Sequence, residues 1–331
     1  MADRYWVGGT ATWDSSTTSV WSTTSGGSGG ASVPTSSDNV YFDQAGTFTV
    51  TLGGSGGLNC RSFTVSASTY TFVSASSMVN AYGDVYFVSG TVYPTKLYIN
   101  GTSGFTLTTN GVVVTSITTG ANANYTLGSA LTCTSILAGA GFVLNTSGYT
   151  VTLPGGSSIR NLNMSTSQMI LGGTGNFALG GNGMLTITWS PGASITFTGN
   201  SATTLNLNGK SYPPIIFTDA GTVTINGSNT FNNFYCTYAG AKTFQFAAGT
   251  TNTFIAFDLR GTAGNLYTIT STTTSAATLN KAGTWYMGAN STDSGNNTGL
   301  TFAAGSGIDY LNVSYITGTA VAVTANFLGL L

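Results

Sequence analysis

Apolar and hydroxyl-bearing residues alternate along most of the chain in bursts of four to six. Examples are Phe48-Thr49-Val50-Thr51-Leu52, Phe105-Thr106-Leu107-Thr108, Tyr149-Thr150-Val151-Thr152-Leu153, Leu185-Thr186-Ile187-Thr188 and Val223-Thr224-Ile225. A period of two puts the apolar side chains on one face of an extended strand and the threonines on the other. Gly, Asn and Ser separate the bursts, so the chain from about Asn39 onward is predicted to be short strands joined by turns. The first forty residues differ. Trp6, Trp13 and Trp21 fall there and are followed by the flexible run Ser25-Gly26-Gly27-Ser28-Gly29-Gly30-Ala31. The predicted organisation is a small Trp-rich N-terminal cap or attachment module over residues 1–45, a body over 46–318, and an apolar segment over 319–331 for packing or attachment.

Internal repetition separates a sandwich from a solenoid, because a fixed period means one unit stacked on copies of itself. Asn229-Thr230-Phe231-Asn232-Asn233-Phe234 aligns with Asn252-Thr253-Phe254-Ile255-Ala256-Phe257 at an offset of 23 residues. Extended backwards, the alignment sets Val223 and Ile225 against Phe244 and Phe246, with two residues inserted in a turn. Ile195-Thr196-Phe197 with Leu205-Asn206-Leu207 has the same form, starting 28 residues before Val223. A weaker echo sets Leu58-Asn59-Cys60 against Leu131-Thr132-Cys133, an offset of 73 that approximates three coils of about 24. These observations predict an all-β parallel β-helix with coils of about 23 residues. Phe231 would then stack on Phe254 and Phe234 on Phe257, with Asn229 and Asn252 forming an amide ladder. Tandem antiparallel β-sandwich or jelly-roll domains are the alternative, since their turns look alike in one sequence.

Composition agrees with an all-strand chain and narrows the chemistry. The 331 residues include 46 Gly, 8 Lys+Arg, nine acids that are all Asp, no Glu and no His. Without Glu and with few Lys, surface helices lack their usual formers. A formal charge of −1 with no basic cluster excludes the electrostatic footprint of a nucleic-acid binder. No apolar run approaches the roughly 18 residues of a membrane helix, so no membrane insertion is expected. The opening residues carry no apolar h-region, and the expectation is synthesis in a cytoplasm without a signal peptide. Cys60, Cys133 and Cys236 are odd in number and far apart, which suits small buried core residues better than disulfides or metal ligands.

Without His, a Ser-His-Asp or Cys-His device is impossible. Paired carboxylates would require two acids to converge, and Asp219, Asp258, Asp293 and Asp309 match whole coils poorly, so turn caps and solvent contacts are expected. Asp258 and Arg260 read as a surface pair, and the oxygen-rich stretch 290–298 as a long turn without the spacing of a calcium loop. No catalytic residue, no metal and no cofactor are predicted. Aromatic faces are the remaining chemistry, because they stack on sugar rings and pack at interfaces. The candidates for glycan or subunit contact are Trp285, Tyr286, Tyr235 and Tyr238, and the candidates for attachment are Trp6, Trp13 and Trp21.

Two segments carry a resemblance. Tyr5-Trp6-Val7-Gly8-Gly9-Thr10-Ala11-Thr12-Trp13, then Val20-Trp21-Ser22, then Ala31-Ser32-Val33-Pro34-Thr35 and Asp38-Asn39-Val40-Tyr41-Phe42-Asp43 resemble the start of Gly/Ser/Thr-rich repetitive structural proteins of tailed bacteriophages. Thr284-Trp285-Tyr286 with Asn290-Ser291-Thr292-Asp293-Ser294-Gly295 resembles segments near the end of such proteins, although here it precedes Ile308-Asp309-Tyr310-Leu311 rather than following a strand of that kind. The resemblance implies a non-enzymatic β-solenoid on the virion surface, as a capsid decoration protein or a short tail fibre or spike. Low charge, abundant aromatics and solenoid ends and flanks that must be covered predict a homotrimer, with other virion proteins and host surface carbohydrate as the further partners expected. A polysaccharide-degrading tail spike and a bacterial surface adhesin are the alternatives.

Overall fold

The computed structural model describes residues 1–309 apart from 55–56, 68–69, 75, 94, 173–174, 180–185, 200–202, 208, 260–266, 274–276, 281–282, 288–299 and 303–305. Of 175–179, 203, 283–287, 300–302 and 306–309 it describes the backbone only. The described residues are all-β with no helix, and their parallel stacked strands form a β-solenoid of about 10 turns of roughly 21 residues. The coil is thus slightly shorter than the 23 residues read from the clearest repeat. That repeat comes from one of the longer coils, since adjacent strands elsewhere are in register at offsets such as Val79↔Leu97 and Lys96↔Ser116.

The chain forms two compact units, Met1–Ile170 with Gly180–Ala193, and Leu171–Leu179 with Ser194–Leu331. In the first unit, three sheets run along the coils. One begins at Asp3–Trp6 and continues through Asn39–Phe42, Phe63–Val65, Val85–Phe87 and Phe105–Thr108. A second stacks Ala11–Trp13 on Phe48–Leu52 and Tyr70–Val73. The third begins at Leu58–Cys60. Alternation does what the pattern requires: Leu58, Val79, Leu97, Ile117 and Ile136 follow one another in register on the inside, none more than 4% exposed. Each such column removes apolar surface from water at about 25 cal/mol per Å².

The same column corrects the weaker echo. Leu58 leads to Ile136, four strands on, so Leu58 and Leu131 occupy different columns, and so do Cys60 and Cys133. All three cysteines are free and buried, as read. Coil corners stack backbone on backbone. A Cβ on Gly139 would come within 2.6 Å of the carbonyl oxygens of Thr119 and Gly120, so only Gly fits there.

In the second unit the predicted stacks are present. Phe231 pairs with Phe254 and Phe234 with Phe257, and each pair of rings lies nearly parallel at 5.3 and 5.9 Å. Val223 meets Phe244 and Ile225 meets Phe246, as the extended alignment requires. Ile195, however, pairs with Ile215, and it is Leu205 that lies beside Ile225.

Candidate functional site

Trp6, Trp13 and Trp21 do not form a presented surface. They are 0%, 1% and 0% exposed. Asp3–Trp6 pairs antiparallel with Trp21–Ser22 on one side and parallel with Asn39–Phe42 on the other, and Trp13 pairs with Leu52 in the second sheet, so that all three indoles are buried at the start of the first unit. Trp21 meets Trp6 and Trp13 edge-on at 5.2 Å each, and Phe42 packs beneath them. Such large, flat groups plug the open end of a solenoid core that would otherwise face water. The expectation of attachment through these side chains is corrected accordingly: they pack the cap.

Tyr235 stands half-buried on an outward row between Ile216 and Asp258, and the backbone of Tyr286 is in register with Asp258. Tyr238 lies beyond that strand, its ring so close over Gly240 that a Cβ there would sit 2.5 Å from it, and its carbonyl accepts the Tyr267 hydroxyl. Trp285 and Tyr286 are placed by backbone register alone, because their side chains lie outside the described residues. Arg260, Asp293, the 290–298 stretch and the 319–331 segment also lie outside them.

Asp219 is not a solvent-facing turn cap. It is 3% exposed and pairs with Lys242 of the following coil at 3.3 Å. The Lys242 ammonium also donates to the Asp219 carbonyl at 2.9 Å and the Ala220 carbonyl at 3.2 Å, and lies 5.4 Å from the Phe217 ring centre. Burial pushes the Asp219 carboxyl up and the Lys242 amine down, against their mutual attraction. An acid held this way has no access to a substrate. Among the described residues, no three of Cys, Asp, Glu or His gather as metal ligands.

The described polar and aromatic groups converge instead on the outer face of the first sheet, a place sequence reasoning missed. Two rows run side by side across its strands: Asp3, Asn39, Ser62 and Asp84, and next to them Tyr5, Tyr41, Thr64 and Tyr86. The Tyr5 and Tyr41 rings stack at 4.8 Å with 17° between planes. Asn39 Nδ2 donates to Asp3 Oδ1 at 2.9 Å, and Ser62 Oγ donates to Asn39 Oδ1 at 3.0 Å. Burial, then the Asp3 charge, raises both tyrosine hydroxyls above their ordinary pKa. Behind them burial favours a neutral Asp38, but the Thr35 hydroxyl and N–H, the Ala2 N–H and the Arg4 charge outweigh it and hold the carboxyl low.

Beside these rows lies a cavity of about 330 Å³ lined by Asn39, Tyr41, Arg61, Ser62, Thr64, Gly83, Asp84 and Phe105. Residue 83 on this lining is glycine, and a Cβ there would come within 2.8 Å of the Arg61 carbonyl oxygen. A signal was present in the sequence: Asp3-Arg4-Tyr5, Asn39-Val40-Tyr41 and Asp84-Val85-Tyr86 repeat an acid or amide two residues before Tyr. No family model matches the chain, and no curated protein or solved structure shows significant similarity to it.

Proposed function

We propose that the protein is a non-enzymatic structural component of the outer surface of a tailed-phage virion, a capsid decoration protein or a short tail fibre or spike. The observation that carries the reading is that the N-terminal segment resembling phage structural proteins is the plug of a parallel solenoid. A body held by stacked uncharged side chains and backbone ladders suits exposure outside a cell, where resistance to proteolysis and salt matters. The burial of Asp219 against Lys242 adds support, since it removes one of the four acids open to the depolymerase alternative.

Mass spectrometry of purified particles, with immunogold labelling of intact ones, tests the assignment. Gold on the particle exterior is expected. Detection in the host lysate but not in purified particles overturns it. The assembly proposed is a homotrimer, and light scattering is expected to return three times the 33.7 kDa chain mass. A monomer would remove the trimer from the proposal.

A further inference from the structure

We infer that the cavity between Tyr41 and Phe105 on the first unit is a binding site for a neutral saccharide segment. Tyr41 and Phe105 stand on strands three spacings apart, about 14 Å, and wall a groove whose floor is the two intervening strands. The stack direction sets the fit. Tyr5 covers one face of Tyr41 at 4.8 Å, the spacing of adjacent strands, so the other face of Tyr41 looks along the solenoid over Thr64. Thr64 is small, and the next tyrosine of that row is Tyr86, one strand farther. A ring laid over Thr64 continues the aromatic row in place of the missing side chain.

Polar groups at the groove specify what kind of ring. Ser62 and Thr64 offer hydroxyls, and Asn39 an amide already oriented by Asp3 and Ser62. Asp84 uses Oδ1 to accept the Thr106 N–H at 2.7 Å, which holds the carboxylate in place and leaves Oδ2 to accept from a ligand. Arg61 also lines the cavity, and its Nη1 contacts the Met1 sulfur. One cation and one anion on the lining balance. Apolar C–H faces for aromatic walls, with hydroxyls that both donate to a carboxylate and accept from a guanidinium, describe a pyranose. A carboxylated or sulfated sugar would face Asp84, with Asp3 at the other end of the same row, and is disfavoured. The inference stands on the groove and not on the virion assignment.

An array of neutral and acidic oligosaccharides, probed with the full chain, tests it. Retention on neutral members is expected, with Tyr41→Ala and Asp84→Ala each weakening it about tenfold or more. Thr64→Trp fills the slot, removing the Thr64 hydroxyl with it, and is expected to abolish retention. Tyr149→Ala, an exposed tyrosine elsewhere on the first unit, is expected to bind as the parent does. Circular dichroism and melting of each variant separate lost binding from lost fold. No retention on any neutral sugar, retention confined to acidic sugars, or retention that survives Thr64→Trp would each overturn the site. Particle labelling in the preceding test would be unaffected by any of them.

Discussion

Asn229 Nδ2 donates to Asn252 Oδ1 at 3.0 Å inside the second unit, where the two residues are 2% and 0% exposed. The same Asn252 oxygen accepts the Asn229 backbone N–H at 3.2 Å, and Asn229 Oδ1 in turn accepts the Gly209 N–H at 3.0 Å. The amides thus form a buried chain across successive coils, each accepting a donor that the turn of the preceding coil leaves open.

Asn252→Ala is therefore expected to destabilise the second unit by about 1–3 kcal/mol, because it strands the buried Asn229 backbone N–H, while Asn229 Nδ2 keeps the Asn226 and Gly227 carbonyls. Asn206→Ala, which breaks the half-buried amide contact from Asn226, is expected to cost less, about 1 kcal/mol. Urea midpoints of the two variants measure the difference. Equal losses would contradict the role of burial.

Lys242 and Asp219 are expected to behave as a unit. Removing one partner leaves a buried charge, so Lys242→Met and Asp219→Asn should each cost about 3–5 kcal/mol. The double change Asp219→Asn with Lys242→Met should recover most of that loss, because neither charge remains. A double-mutant cycle by chemical denaturation shows this. Additive losses would mean that the two groups do not interact.

Trp13→Ala is expected to cost about 3–5 kcal/mol and to loosen the N-terminal end, since it opens a void among Trp21, Phe42 and Phe63. Near-ultraviolet circular dichroism and the melting temperature report it. Exposed Tyr86→Ala should leave both nearly unchanged.

Asp14 has a carboxyl lowered to about 2 by the N–H groups of Ser16 and Thr17 and by their hydroxyls. Its folded pKa lies below the unfolded value of about 3.9, so its contribution is complete above pH 4 and fades as the pH falls through 2. Asp14→Asn should flatten the loss of stability between pH 4 and pH 2, with little change in slope near neutrality. Urea midpoints at stepped pH check it, and an unchanged acid slope would show that the turn does not favour the carboxylate.

What the sequence alone determined follows from how a solenoid stores its contacts. Residues that touch across coils occupy equivalent positions one period apart, so Phe231 on Phe254, Val223 on Phe244 and the Asn229–Asn252 chain were readable as a repeat. The two-residue alternation that buries Leu97 and Ile117 was likewise a one-dimensional signal. The tertiary structure decided whatever depended on register between unlike residues. Composition puts a lysine and an aspartate outside. Register set Lys242 one coil after Asp219, beside backbone carbonyls and an aromatic face that satisfy the ammonium inside. Three tryptophans near a terminus read equally well as a contact surface or a core. The antiparallel pairing of Tyr5 with Ser22 turned Trp6 and Trp21 inward, and the pairing of Trp13 with Leu52 placed the third beside them. The groove beside Tyr41 needed the structure most, because its walls and floor come from four coils. Only the way those coils stack brings Asn39, Arg61, Asp84 and Phe105 around one opening.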